Sequence, residues 1–308
     1  MEDRKILVSI GLPVFNGGNY LKVAIESLLR QSHDSFELII SDNNSTDKTS
    51  EICKKYFKID RRIRYYRQSI NIGAIDNFNY VLSKAKGKYF MWAAHDDRWH
   101  KDFIKYLLRS IVETSAVLTV SNYSMYDDGK TTFVKLNNKN QFSIKESIID
   151  FLNNISRDNS VYPYGLMKTS MIKKVGGFHK DFRPYYHSSD LVTILKILLI
   201  GKVSNIDKNL FYKRITVLYF RKFDVISKLE FNDLTTKSIQ RYLFDPLYNF
   251  LDLFYSIKYT IYSDLKFIDK LIICLHFFYR FIKNIIIFAV SLIKGLFLLF
   301  RGLVKKFF

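Results

Sequence analysis

The chain has 308 residues and a net charge of +19 at pH 7, with four prolines, twelve glycines and two cysteines. That length allows one large α/β core with an appendage, and so few prolines and glycines argue against long disordered linkers. Cys53 and Cys274 are far apart and form no CxxC pair, which argues against a zinc site or a disulfide framework and favours a reducing compartment.

In chain order, the opening MEDRKILVSIGLP meets acids at once, and its apolar run is too short for a signal peptide. The catalytic part is therefore expected in the cytoplasm. KILVSIGLPVF reads as a strand that ends at the turn Asn16-Gly17-Gly18. Residues 19–31 then place Leu21, Ala24, Ile25, Leu28 and Leu29 at helical spacing. FELIIS is a second strand, and Asp47 is expected to cap a helix carrying Ile52, Cys53 and Tyr56. RIRYYRQ reads as a third strand, Gly73 to Ala85 as a helix, and KYFMWAAH as a fourth strand. Alternation at this rhythm predicts a mostly parallel sheet with helices on both faces. In such sheets ligands bind at the carboxyl ends of the strands.

From about 115 to 220 the pattern is less regular. It holds a strand at AVLTVSNY, a turn at Asp127-Asp128-Gly129 and a helix around 143–154. A turn at Gly176-Gly177 follows, then a helix beginning near Asp190 and a strand at NLFYKRITVLYF. After about 221 helices dominate.

The four strand ends carry Pro13-Val14-Phe15-Asn16, then Ser41-Asp42-Asn43-Asn44-Ser45-Thr46-Asp47, then Asn71-Ile72-Gly73, and finally His95-Asp96-Asp97. Singly, an Asp-Asn-Asn-Ser run also reads as a turn or helix cap, and two adjacent acids also read as a solvated turn. Together they sit at the one edge where an α/β sheet binds ligands. Adjacent carboxylates held at a sheet rim repel unless a cation neutralises them. Mn²⁺ or Mg²⁺ takes few protein carboxylates and completes its shell with water and phosphate oxygens.

This ordered set resembles the nucleotide-sugar half of family-2 glycosyltransferases with the GT-A fold. Tyr164-Gly165-Leu166-Met167 with Val175-Gly176-Gly177-Phe178 is similar to that family's acceptor-side segment, and His187-Ser188-Ser189-Asp190 to the segment ending in its catalytic acid. The resemblance implies that Pro13, Phe15 and Asn16 line the base pocket and that Asp42 accepts the base's ring N–H, which suits uracil. It puts Asn71 and Gly73 near base and ribose, Asp96 near ribose or donor sugar, and Asp97 on the metal. Asp190 would be the general base of an inverting, in-line transfer. Two features depart from the family's pattern. His95 stands where the metal motif usually begins with Asp, and reads either as a second ligand or as a satisfied strand-end histidine. The Q-x-x-R-W motif of processive synthases is missing, so one sugar per encounter is expected. Tyr212-Lys213-Arg214 sits where relatives carry basic residues toward the diphosphate, or is a plain surface strand.

Residues 208–308 hold 17 Lys+Arg against 7 Asp+Glu, and from Lys270 onward there are seven basic residues and no acid. At about 100° per residue, Lys266, His276, Arg280, Lys283, Lys294, Arg301 and Lys305 share one arc, opposite Phe281, Phe288, Leu292 and Leu296. Because Lys294 interrupts the longest apolar stretch, an interfacial helix fits better than a span or a core helix. Basic residues set among Phe, Ile and Leu point to an anionic membrane surface and away from nucleic acid.

The expected organisation is a GT-A, Rossmann-like catalytic domain over 1–220, divided into a nucleotide-sugar half at 1–97 and an acceptor half at 98–220. A helical, membrane-associating region follows over 221–308. The expected activity is transfer of one sugar from a nucleotide-diphosphate donor, UDP-sugar first, to a membrane-proximal glycan or lipid-linked acceptor at the cytoplasmic face of a membrane. The rival readings are a sugar-nucleotide pyrophosphorylase and a non-catalytic membrane or nucleic-acid adaptor. The first needs a Gly-rich triphosphate loop that GLPVFNGG does not supply.

Overall fold

The computed structural model describes residues 7–127, 131–136, 143–154, 161–180, 189–215, 253–279, 281–282 and 285–286. The chain forms two units, Met1–Arg214 and Ile215–Phe308. The first begins with the expected alternation. Strand β1 (Val8–Val14) leads to α1 (Leu21–Leu29), β2 (Phe36–Asp42) to α2 (Thr49–Ile59), and β3 (Ile63–Arg67) to α3 (Ala74–Lys84). Strands β4 (Tyr89–Trp92) and β5 (Arg98–Trp99), helix α4 (Phe103–Thr114), and strands β6 (Leu118–Tyr126) and β7 (Thr131–Val134) come next. The second half holds α5 (Ile144–Asn154), a 3-10 turn at Tyr162–Tyr164, β8 (Leu166–Lys168), α6 (Thr169–Lys174), α7 (Ser189–Leu198) and β9 (Val203–Arg214).

The sheet order is β3-β2-β1-β4-β8-β6-β9-β5, with β7 on β6. Pairing is parallel across β3-β2-β1-β4. It turns antiparallel where β8 sits between β4 and β6, and is parallel again for β6 and β9. The parallel half is thus the half in which strand and helix alternate, because each parallel neighbour needs a crossover. The chain reverses direction along the sheet between β1 and β4, and such a switch point opens a crevice at the strands' carboxyl ends. Pro13 has no N–H to give and lies two residues beyond the last β1–β4 pair, Gly11 with Trp92.

Of the five residues that the spacing predicts, Leu21, Ala24, Ile25 and Leu28 are buried in α1 and Leu29 is half-buried, and Ser27 is buried beside them. Helix α4 went unread in the sequence, although Phe103, Ile104, Leu107, Leu108 and Ile111 form its buried stripe. The last strand differs from its expected span. It starts earlier, at Val203, and ends at Arg214, while 216–220 lie outside the described residues. An aromatic cluster seals the sheet beneath the crevice: Trp92 lies 4.4 Å from Phe178 and 5.0 Å from Phe90, and Phe78 stacks on Phe178 at 4.8 Å.

In the second unit, residues 253–261 and 267–279 are helical, and Leu253, Ser256, Thr260, Ile273 and Phe277 are buried. Among the described residues, no helix is long and apolar enough to cross a membrane. The run expected to continue the amphipathic stripe through Lys294, Arg301 and Lys305 lies outside the described residues, as do Arg280 and Lys283.

Candidate active site

The first two strand-end loops are tied into one body. Asn16, in left-handed backbone at φ 50, donates its N–H to Ser45 Oγ at 3.0 Å, and its Oδ1 accepts from the Thr46 N–H at 2.9 Å. Gly17 and Gly18 donate to Thr49 Oγ1 and Asp47 Oδ2. Asp47 also accepts from the Thr49 N–H at 3.0 Å, one residue ahead of the N-cap Lys48, so it serves the start of α2 as expected. Asp42 is fully buried. Its Oδ1 accepts from the Ser45 N–H at 2.8 Å and its Oδ2 from the Tyr65 hydroxyl at 3.0 Å. Pro13 is buried within β1, Asn16 is tied to loop two, and Phe15 alone of the three expected base-pocket residues turns a large apolar surface outward, at 45% exposure.

Loops two and three are joined by an amide pair. Asn43 Nδ2 donates to Asn71 Oδ1 at 2.8 Å, and Asn43 Oδ1 accepts from the Ile72 N–H at 2.9 Å. Asn71 Oδ1 also accepts from the N–H of Gly73, whose φ of 83 opens α3. Asn43 stands in the Asp-Asn-Asn-Ser run without having been singled out. A burial of 2% exposure with all its bonds internal marks it as the clamp.

The fourth loop brings the acids to the crevice. A Cβ on Gly17 would come within 2.6 Å of His95 Cδ2, so the imidazole packs directly on the first loop. Asp97 is 2% exposed, and its Oδ1 accepts from the Arg214 N–H at 2.8 Å. Among the described residues, Asp97 Oδ2 is the buried carboxylate oxygen that accepts no hydrogen bond. Burial pushes this carboxyl up to about 7 despite the pull of Lys213, with Asp96 adding to the rise and Arg214 opposing it. By contrast, buried Glu37 at the opposite edge of the sheet is fully engaged by Ser9, the Lys86 N–H and Arg64. An unpartnered buried carboxylate oxygen is costly unless something absent from the polypeptide completes it.

Around this acid stands an alternating stack that sequence reading did not find. The Arg214 guanidinium lies 4.1 Å over the Tyr20 ring and 4.7 Å over Tyr126, and Arg98 covers Tyr126 at 4.1 Å. The Tyr126 hydroxyl donates to the Asp96 carbonyl at 3.0 Å. Lys213 lies 5.2 Å from the Tyr164 ring. Burial pushes the Tyr164 phenol above the usual tyrosine range; Lys213 opposes this, and Asp97, Asp96 and Asp190 reinforce it. Three acids from two separated segments therefore share one neighbourhood with Lys213 and Arg214. The available signals were Tyr164 in the acceptor-side segment and the run Tyr212-Lys213-Arg214; Tyr20, Tyr126 and Arg98 carry none, because nothing in their local pattern marks them.

Asp190 opens α7 and accepts the Leu191 N–H at 2.8 Å. Its neighbour Ser189 donates to the His179 carbonyl, and Thr193 Oγ1 donates to the Gly177 carbonyl at 3.0 Å. That turn is in turn clamped to α3. Asn79 accepts from the Phe178 N–H at 2.7 Å and donates to the Phe178 carbonyl at 2.9 Å. Gly177 needs to be glycine, since its φ is 67 and a Cβ there would collide with Asn79. His187 and Ser188 lie outside the described residues.

Residues 9–176, more than half of the chain, match glycosyl transferase family 2. The chain belongs to that family. Among relatives of this glycosyltransferase, GlyG of Streptococcus pneumoniae serotype 4 is 29% identical over 231 residues, 73% of this chain and 74% of GlyG. The putative teichuronic acid biosynthesis glycosyltransferase TuaG of Bacillus subtilis is 38% identical over 130 residues, 42% of this chain and 52% of TuaG. Among solved structures, S. aureus TarS 1–349 in complex with UDP-GlcNAc superposes with a TM-score of 0.68 at 18% identity, covering 89% of this chain and 72% of that one. The mannosyltransferase PcManGT from Pyrobaculum calidifontis, in complex with GDP-Man and Mn²⁺, gives 0.54 at 12% identity over 94% and 85% of the two chains. The fold is thus the mixed α/β, GT-A architecture that the strand-end motifs imply.

Proposed function

We propose that this glycosyltransferase moves a single sugar from a UDP-sugar, with inversion, to a membrane-proximal glycan or lipid-linked acceptor during surface polysaccharide assembly at the cytoplasmic face of a membrane. The observation that carries this reading is the grouping of Asp96, Asp97, Asp190 and Lys213 around Tyr164, with Arg214 bonded to Asp97, at the carboxyl edge of the sheet. UDP as donor and a polysaccharide acceptor are supported by the donor held by TarS and the pathway in the name of TuaG.

In this reading Phe15 offers a face to the base, while Asn16, Asp42, Asn43, Asn71 and Gly73 hold the three loops that frame base and ribose. Both oxygens of Asp42 already accept bonds within the chain, so a base N–H would share an oxygen with the Tyr65 hydroxyl or the Ser45 N–H. Asp96 lies beside the donor sugar. Asp190 takes the proton of the acceptor hydroxyl as its oxygen bonds to the anomeric carbon, and the carbon–oxygen bond to the diphosphate breaks on the opposite face. The nucleoside diphosphate leaves with the bonding electrons, and Lys213 and Arg214 stabilise its charge. No group of three or more His, Cys, Asp or Glu able to hold a metal stands among the described residues. Asp97 Oδ2 still fits Mn²⁺ or Mg²⁺ through one carboxylate, since such ions in phosphate sites keep water and substrate oxygens as their other ligands. When bound, the cation neutralises the leaving diphosphate as a Lewis acid.

The test is a panel of nucleotide-sugars scored for thermal stabilisation with Mn²⁺, followed by product analysis. A donor that binds the native state raises its apparent stability. Stabilisation by a UDP-sugar with release of UDP supports the reading. Conversion of the donor to nucleoside triphosphate and sugar 1-phosphate when pyrophosphate is added makes the protein a pyrophosphorylase, and absence of any donor turnover makes it an adaptor.

A further inference from the structure

The second unit turns outward a contiguous apolar face. Within the helix at 267–279, Ile273 and Phe277 are one turn apart and buried. Phe267, Leu271, Leu275, Phe278 and Tyr279 are exposed, Phe267 at 80% and Tyr279 at 62%. At about 100° per residue these five fall within an arc of about 120°, and the two buried residues lie on the opposite side. Ile261 and Tyr262, also exposed, extend the face into the preceding turn, which Lys270 Nζ fastens by donating to the Ile261 carbonyl at 2.8 Å. Scattered exposed apolar residues need no explanation, but a contiguous stripe does.

We infer that this face docks into the headgroup layer of an anionic bilayer, with the helix lying in the membrane plane. Charge selects this occupant. From Lys270 to the C-terminus the sequence has seven basic residues and no acid, while just before it Lys258 and Lys266 are offset by Asp264 and Asp269, so the net positive charge belongs to the segment from Lys270 onward. Pairing two copies through this face would bring two acid-free basic segments together, which like charge disfavours. A neutral apolar groove would leave the cations uncompensated. An anionic lipid surface supplies acyl chains for the stripe and phosphates for the lysines at once. The inference does not depend on the transfer chemistry, because lipid binding is read without donor or acceptor.

The experiment sediments the full chain with vesicles of equimolar phosphatidylglycerol and phosphatidylcholine, and with phosphatidylcholine alone, in the absence of nucleotide. The wild type is expected to co-sediment with the anionic vesicles, less so in 1 M NaCl because exposed charges are screened. Leu275→Glu with Phe278→Glu, both on the outer face, should lower vesicle binding at least about tenfold with an unchanged circular dichroism spectrum. Lys258→Glu with Lys266→Glu, at two exposed lysines, keeps the apolar face and should lose the preference for anionic vesicles, which holds the test open if the first variant misfolds. Equal sedimentation of wild type and both variants, or none by the wild type, overturns the inference. So does a lipid-free dimer that Leu275→Glu with Phe278→Glu dissociates, which would give the face to a second copy.

Discussion

Arg214 donates its backbone N–H to Asp97 at 2.8 Å while its guanidinium lies between the rings of Tyr20 and Tyr126. The last residue of β9 thereby fixes an acid of the fourth strand-end loop. It leaves the other oxygen of that acid, Oδ2, facing no donor of the chain. A cation or a proton is the natural complement.

Replacing that acid separates the two. Asp97→Asn should lower transfer by about 10²-fold or more, the loss expected when a preorganised electrostatic contact disappears, and nucleotide binding should cease to respond to Mn²⁺ or Mg²⁺. Isothermal titration with and without chelator checks this. Retained activity, or a wild type indifferent to chelator, removes Asp97 from the metal.

The same group sets a pH dependence. Its folded value of about 7 is raised from 3.8 by burial, so between these limits the native state holds a proton that the unfolded chain has released. Metal-free protein should therefore lose stability as pH rises from about 4 to about 7. Metal affinity should rise over the upper part of that window, since the ion displaces the proton. Thermal melts from pH 5 to 8 with and without Mn²⁺ measure both; a cation effect equal at pH 5.5 and 8 contradicts the assignment.

Asp190→Asn should cut turnover at least about 10²-fold, the contribution of a positioned base, with donor affinity nearly unchanged. Equilibrium binding of the donor beside single-turnover rates distinguishes the cases. A variant that loses donor binding and keeps turnover takes Asp190 out of the base role.

Asn79→Leu tests how that acid is placed. It strips both bonds from the Phe178 backbone, and an unsatisfied buried group costs about 1–3 kcal/mol. Because the Gly177 carbonyl holds Thr193 of α7, turnover should fall along with stability while donor affinity holds. Lost stability with undiminished turnover would separate the clamp from catalysis.

Tyr126→Phe keeps the ring between Arg98 and Arg214 and removes the bond to the Asp96 carbonyl, a net effect of about 1 kcal/mol. Tyr126→Ala removes the stack as well and should weaken Mn²⁺ binding further. Equal Mn²⁺ affinity in wild type and both variants would show that the stack does not position the acids.

The local pattern of the sequence determined the parallel half of the sheet, its helices and the four loops at its carboxyl edge. Alternating periods, turn residues and polar runs after strands are short-range properties written within a few residues of one another. It also marked Asp97 and Asp190, because they stand in ordered motifs. The sequence could not show that Asp42 is enclosed by Ser45 and Tyr65, or that Asn43 joins two loops. Nor could it show that β9 delivers Arg214 to Asp97 across 117 residues of chain. Those relationships depend on strand order. β9 lies beside β6, and β8 stands between β6 and β4. That order is decided by packing among distant segments, which no local period encodes, so Tyr20, Tyr126 and Arg98 beside the acids became legible only when the sheet was assembled.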